Sequence, residues 1–391
     1  MAGPDPSPPT VFLANSKLVA GAPVAGKFSR GESGEEDTTQ HHSGIPFAIS
    51  LNLLSDSWNF QPDRFLPFLT ENTNFTVIGV IGGPGVGKSS IMNELYAFDS
   101  TSSVEMLPPF VIESKEERAM ARHCSKGIEP RISAEHVILL DTQPVFSASV
   151  LAEMMEPDGS STISVMSGES LSAELAQEIM AIQLAVFLAS TCHILLVVSD
   201  GVHDDDLWHL MNNHAVLVII QADLLKGDIS DPSLLSSSSG LQKDSKVPER
   251  EYMATPVFVR TKLREQELTP KNILLLKKEL MQYFKTSSFV TKTTRNHSDE
   301  QVSSFNRDTD SNTLNLFTIP CKEKKENPRA ESYISALRKI RDQILSVKRS
   351  SFMRPVSERE WLESSAKIWD QVRNSSKISE YCRSFQDSGM Y

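Results

Sequence analysis

The residue types best suited to chemistry crowd into one stretch: Gly82, Gly85, Val86, Gly87, Lys88, Ser89 and Ser90. Gly82, four residues, then Gly87-Lys88-Ser89 is the spacing of a phosphate-binding loop. Each type has a reason to be there. Glycines let the backbone turn tightly enough for its N–H groups to approach phosphate oxygens. A lysine at the seventh position can reach the β- and γ-phosphates, and the serine hydroxyl after it can ligate Mg²⁺. The bland alternative is a glycine-rich turn that binds nothing, but the flanks have the right order. Phe75–Ile81 is a β-branched apolar run that reads as a buried strand, and Ser89–Leu95 opens a helix whose N-terminus favours an anion.

A second candidate is Asp141, which ends the apolar run His136–Leu140. A carboxylate at the end of such a strand can hold Mg²⁺ through its water shell, or it can simply cap a turn. The residues after it limit the chemistry. A switching GTPase has Asp, two residues, then a glycine whose N–H meets the γ-phosphate. Here the order is Asp141-Thr142-Gln143-Pro144, and proline has no N–H. Gln143 also comes too early to match the water-positioning glutamine, which follows that glycine. Ser125 or Ser133 is available to stand in for the usual switch threonine. The binding half of the machinery is present and the hydrolytic half is degraded, so no residue is assigned a catalytic role. A working NTPase that positions its water by other residues is the competing reading.

Base recognition is open between two stretches. Thr261-Lys262-Leu263-Arg264 follows the strand Val257–Val259 and keeps the lysine of a guanine-reading motif, but it puts a cation where the carboxylate acceptor belongs. Ile220-Gln221-Ala222-Asp223 follows the apolar run Val216–Ile220 and keeps only the aspartate. The nucleotide expected is therefore a purine nucleotide, GDP/GTP or ATP, with Mg²⁺.

The elements that must position these residues alternate between strand and helix. Further strands are expected at Phe110–Ile112, Ile194–Val198 and Leu314–Ile319. Helices are expected at Asp63–Thr70, Glu169–Ser190, Asp204–Met211, Pro270–Phe284, Glu331–Val347 and from about Glu358 to Phe385. In the Glu331–Val347 helix, Ile334, Leu337, Ile340 and Ile344 share one face. Such alternation implies an α/β domain of the P-loop NTPase, G-domain-like kind: a mostly parallel sheet with helices on both faces. The boundaries read as a disordered tail over 1–44, a domain over 45–349 with loop insertions at about 226–255 and 286–312, and a C-terminal helical extension over 350–391. In that extension Leu362, Ala366 and Trp369 fall on one helical face, which either packs on the domain itself or meets a partner.

Composition narrows the classes. The 391 residues carry 39 Lys+Arg against 50 Asp+Glu, a net charge of −11, which argues against broad electrostatic binding of nucleic acid. Cys124, Cys192, Cys321 and Cys382 lie far apart without metal-ligand or redox spacing, and read as free thiols of a reducing compartment. The N-terminal residues have neither the basic start nor the apolar core of a signal peptide. The apolar window Ile182–Val198 is interrupted by Gln183, Ser190, Thr191 and His193, and reads as a helix running into a strand rather than a membrane span.

Taken together, the phosphate loop, Ile138–Pro144, Gln183–Leu188, Cys192–Val198 and Trp361–Tyr381 resemble the SMG-nine family of nonsense-mediated mRNA decay factors, over roughly residues 50–385. That resemblance implies a G-domain-like fold with little or no turnover. It also implies a heterodimer with a second G-domain-like protein, SMG-eight, docked on the SMG-one kinase, which phosphorylates the up-frameshift helicase. A cytoplasmic location follows, with the nucleus as a second compartment, and neither direct nucleic-acid nor membrane binding is expected. The family pattern favours Thr261–Arg264 as the degraded base motif and has no clear counterpart for Asn212–Ile220.

Overall fold

A computed structural model describes residues 51–97, 107–114, 116–117, 120, 122–166, 171–201, 205–212, 252–285, 314–322, 332–352 and 354–388. All of them belong to one unit, His42–Tyr391. The expected tail, the run Val216–Ile220 with Gln221–Asp223, and the two loop insertions up to 251 and over 286–312 lie outside the described residues.

Six strands form one sheet: β1 (Thr76–Gly82), β2 (Ile128–Ile132), β3 (Val137–Thr142), β4 (Ile194–Asp200), β5 (Thr255–Leu263) and β6 (Leu316–Pro320). Their order is β2-β3-β1-β4-β5-β6, and only β2 runs antiparallel to its neighbour. The helices are α1 (Lys88–Leu95), α2 (Ala148–Met154), α3 (Ala173–Thr191), α4 (Asp205–Asn212), α5 (Pro270–Tyr283), α6 (Tyr333–Leu345), α7 (Glu358–Arg373) and α8 (Ser376–Ser388). With a phosphate loop leaving the central strand β1, this is the expected G-domain-like P-loop fold.

The alternation of side chains in β1 divides the core in two. Ile78 and Val80 face α1 and α6, together with Ile91, Met92, Ile340 and Ile344. Val77 and Ile81 face the other layer, which holds α3 and the inner faces of α4, α5, α7 and α8. Gly79 lets α3 come close: a Cβ there would sit 2.7 Å from Cys192 Sγ and 2.8 Å from Leu188 Cδ2. Helix α3 is long and apolar enough to cross a membrane by length and composition, but most of it is buried between the sheet and α7.

Several expectations need correction. The helix expected over Asp63–Thr70 is two 3-10 turns, Pro62–Arg64 and Leu66–Phe68, because Pro67 cannot donate to an α-helical ladder. Phe65 and Leu69 are nonetheless buried. Phe110–Ile112 is not a strand; Phe110 is held instead by Asn93, whose side chain bonds its N–H at 2.9 Å and its carbonyl at 2.8 Å. Ile334 is 59% exposed; α6 buries Leu337, Ile340 and Ile344 as expected, with Ala336 in the place of Ile334. The C-terminal helix is broken at Asn374, so α7 and α8 are separate.

Two elements were not anticipated, α2 and β2. Strand β2 is five residues long and carries Pro130 and the buried pair Glu129–Arg131 at 2.7 Å, so its two buried isoleucines, Ile128 and Ile132, are too few to reveal it. Its outer edge is covered where the Leu53 N–H bonds the Ile128 carbonyl at 2.8 Å.

Helices α7 and α8 pack on α3. Trp361 donates to the Thr191 carbonyl at 2.8 Å, Trp369 to the Trp58 carbonyl at 3.2 Å, and Trp58 to Gln183 Oε1 at 2.7 Å. The α7 N-terminus is a capping box of Ser357 and Glu360. Glu358, fully buried, accepts from Thr70 N at 2.8 Å and Thr70 Oγ1 at 2.9 Å and meets His136 Nδ1 at 2.9 Å.

Candidate phosphate-binding site

The loop between β1 and α1 gains its shape from three glycines. A Cβ on Gly82 would lie 2.1 Å from the Val198 carbonyl, so only glycine lets β1 run beside β4 at that point. Gly85 and Gly87 have φ of 65° and 98°, the left-handed region that costs other residues energy. Gly87 is the N-cap of α1, so the helix begins at Lys88 with its N–H groups aimed at the loop.

Lys88 is 6% exposed and donates to the carbonyls of Gly82 at 3.1 Å and Gly83 at 3.0 Å. Burial pulls its pKa down to about 8, against the attraction of Asp141 and Glu113. Ser89 donates to Asp141 Oδ2 at 2.7 Å. Ser125, in the loop before β2, donates to the same oxygen at 3.0 Å and lies 3.5 Å from Ser89 Oγ. Asp141 is fully buried at the end of β3, and burial raises its pKa despite Lys88, the two hydroxyls and the nearby Thr142 N–H. Its other oxygen, Oδ1, is buried without a hydrogen-bond partner among the described residues.

Lys88, Ser89 and Asp141 are thus together, and Gly85, Gly87, Lys88, Ser89 and Ser90 line one wall of a cleft; Val86 is buried beneath it. The facing wall is Ile112, Glu113, His123, Cys124 and Ser125, with Pro144 below. Of the two serines considered for the switch position, Ser125 enters the site. Ser133 does not; its hydroxyl accepts from Val137 N in the β2–β3 turn at 3.3 Å.

The Asp141–Pro144 stretch turns inward. Gln143 is 7% exposed; its Oε1 accepts from Gly127 N at 3.0 Å and its own N–H bonds the Gly127 carbonyl at 2.9 Å, so it does not face the cleft as a water-positioning group. Val145, the next residue with an N–H, donates to the Gly82 carbonyl at 3.2 Å.

At the far end of the loop, Thr261 donates to the Val86 carbonyl at 2.8 Å, tying β5 to the phosphate loop. Lys262, at φ 56°, pairs with Asp200 at 2.8 Å, and Arg264 is exposed. This places Thr261 against the phosphate loop.

Sequence reasoning missed His123. Its Nδ1 lies 2.9 Å from Ser149 Oγ on α2, and its Nε2 lies 3.7 Å from Glu153. Burial holds it below the ordinary histidine range, opposed by Glu153. No motif announces it, because its partners come from an element the sequence does not reveal.

No protein-family model matches the chain. Curated proteins named nonsense-mediated mRNA decay factor SMG9 do match: 28% identical to that of Xenopus tropicalis over 85% of this chain, and 27% to that of Salmo salar over 85%. The Caenorhabditis elegans protein of that name is 30% identical over 40% of this chain and 37% of its own length. The resemblance read from the sequence is borne out. The chain spans 66% of the length of the Xenopus relatives. Among solved structures, a bacterial selenocysteine-specific elongation factor EF-Sec aligns with 69% of this chain and 28% of its own, at 10% identity and a TM-score of 0.29, a likeness that carries no argument.

Proposed function

We propose that this chain is a nucleotide-binding scaffold subunit of nonsense-mediated mRNA decay. The observation that carries the nucleotide part is the buried Oδ1 of Asp141, left without a partner among the described residues beside two hydroxyls and a buried lysine. Hard oxygen donors from one carboxylate and two serines, next to a phosphate loop, suit Mg²⁺, which keeps several waters and shares its remaining positions with phosphate oxygens. Asp141, Ser89 and Ser125 would hold the ion. Lys88 would turn from the Gly82 and Gly83 carbonyls to the β-phosphate, and the N-terminus of α1 would receive the charge. The ion would neutralise phosphate charge.

The decay role rests on the SMG9 relatives. The partners proposed with it are an SMG-eight-like G-domain protein and an SMG-one-like kinase, in the cytoplasm. The nucleotide then acts as a structural ligand rather than a fuel, because Pro144 supplies no N–H and Gln143 is turned away from the cleft.

Chromatography of nucleotide released from the purified protein tests the site. Stoichiometric purine nucleotide in wild type and none in Lys88→Ala is the expected result; an equal yield from both would refute it. Hydrolysis well above the Lys88→Ala level would turn the reading toward an active NTPase.

A further inference from the structure

In switching nucleotide domains the γ-phosphate orders two loops that relax when it leaves. Here protein contacts tie down the loop 122–127 at both ends. At its start, His123 meets Ser149 Oγ on α2 at 2.9 Å. Ser149 in turn meets Ser147 Oγ at 2.8 Å, and the Ser147 carbonyl accepts from Gln177 on α3 at 2.7 Å. The anchor therefore runs into the most buried helix of the fold. At its end, Gly127 is gripped through both its N–H and its carbonyl by Gln143. Between these points Ser125 already rests on Asp141. On the other side of the cleft, the N–H groups of Gln143 and Val145 bond protein carbonyls, and Pro144 has none.

We propose that His123 is a latch that keeps the loop 122–127 over the phosphate loop in place of a γ-phosphate, so that the cleft takes nucleoside diphosphates and triphosphates alike. The inference rests on reading the cleft as a phosphate site and specifies its regulation. A ligand shifts an equilibrium only by its differential affinity for the two states. A loop already closed by protein contacts offers the third phosphate no state to select. His123 is a positioning residue, acting through the backbone that carries Ser125. The exposed Lys126–Glu153 pair at 3.2 Å adds little to the latch.

The test uses full-length protein stripped of nucleotide, amide hydrogen exchange over 122–127, and titration with fluorescent di- and triphosphates in Mg²⁺. Wild type should protect 122–127 without nucleotide and bind the two ligands within about threefold of each other. His123→Ala should expose the segment and weaken both ligands by about tenfold, since the ligand must then close the loop itself. His123→Asn, which can still hydrogen-bond Ser149, should restore both readouts, whereas a general loss of stability would not be rescued this way. Free exchange in wild type until triphosphate is added, or no change of exchange in His123→Ala, would overturn the latch. Lys88→Ala binding as well as wild type would instead sink the phosphate site, and exchange over 122–127 would still judge the latch.

Discussion

The phosphate-loop end of the sheet and the seam between α3 and α7 each bury a carboxylate, Asp141 and Glu358, and treat it differently. Around Asp141 one carboxylate oxygen has no partner among the described residues, and a lysine is held nearly out of solvent. In the seam each of the three buried indoles, Trp58, Trp361 and Trp369, has an acceptor, and Glu358 has three donors; among the described residues the hydroxyls of Ser365 and Ser375 and the Nε of Arg373 go without. Buried charge without full satisfaction is costly, and its survival at one end is what supports the proposed phosphate site there. In the seam the buried carboxylate of Glu358 is satisfied, and the atoms without partners are two neutral hydroxyls and one nitrogen of a guanidinium that bonds through its other two.

The largest effect expected from this contrast lies in the seam. Trp369 is fully buried and edge-on to both Trp58 and Phe187. Trp369→Ala should cost about 3–5 kcal/mol in denaturant unfolding, while protein that remains folded keeps its nucleotide. Loss of nucleotide at full stability would break the comparison.

A second, pH-dependent effect should sharpen it. The folded-state pKa of Lys88, about 8, lies below its unfolded value of 10.5. Between these values the unfolded chain binds more protons, so stability of the stripped protein should rise as pH climbs from about 8 to about 10.5, by up to roughly 3 kcal/mol. Lys88→Met should lack that rise, and bound nucleotide should flatten it by keeping the ammonium charged. An identical profile in wild type and variant, measured by thermal unfolding, would show that this lysine is not held at a cost.

The smallest effect concerns Thr261. Thr261→Val removes the bond to the Val86 carbonyl and should cost about 1 kcal/mol, with faster exchange of the phosphate-loop amides and none in the seam.

Which parts were legible follows from the same physics. Strands buried on both faces, such as β1 and β4, appear as continuous apolar runs, and the phosphate loop has a fixed spacing. Asp141 could be placed because it ends such a run. Strand β2 is different: with Glu129, Pro130 and Arg131 between its two buried isoleucines, its burial leaves only a weak apolar trace. The helix boundary at Asn374 and the 3-10 turns around Pro67 depended on backbone geometry that periodicity does not sense. His123 and Gln143 are positioned by contacts across the fold, to Ser149 and Gly127, and nothing in their neighbours foretells those partners.

The seam also has a history in time. Helix α3 ends at Thr191, but the helix that covers it begins at Glu358. At roughly 5–20 residues per second of synthesis, α3 leaves the ribosome on the order of ten to thirty seconds before its cover exists. During that interval an apolar helix of membrane-spanning length lacks one of its walls. Newly made chain should therefore depend on a holding chaperone until Glu358 finds Thr70 and His136 and closes the fold over it.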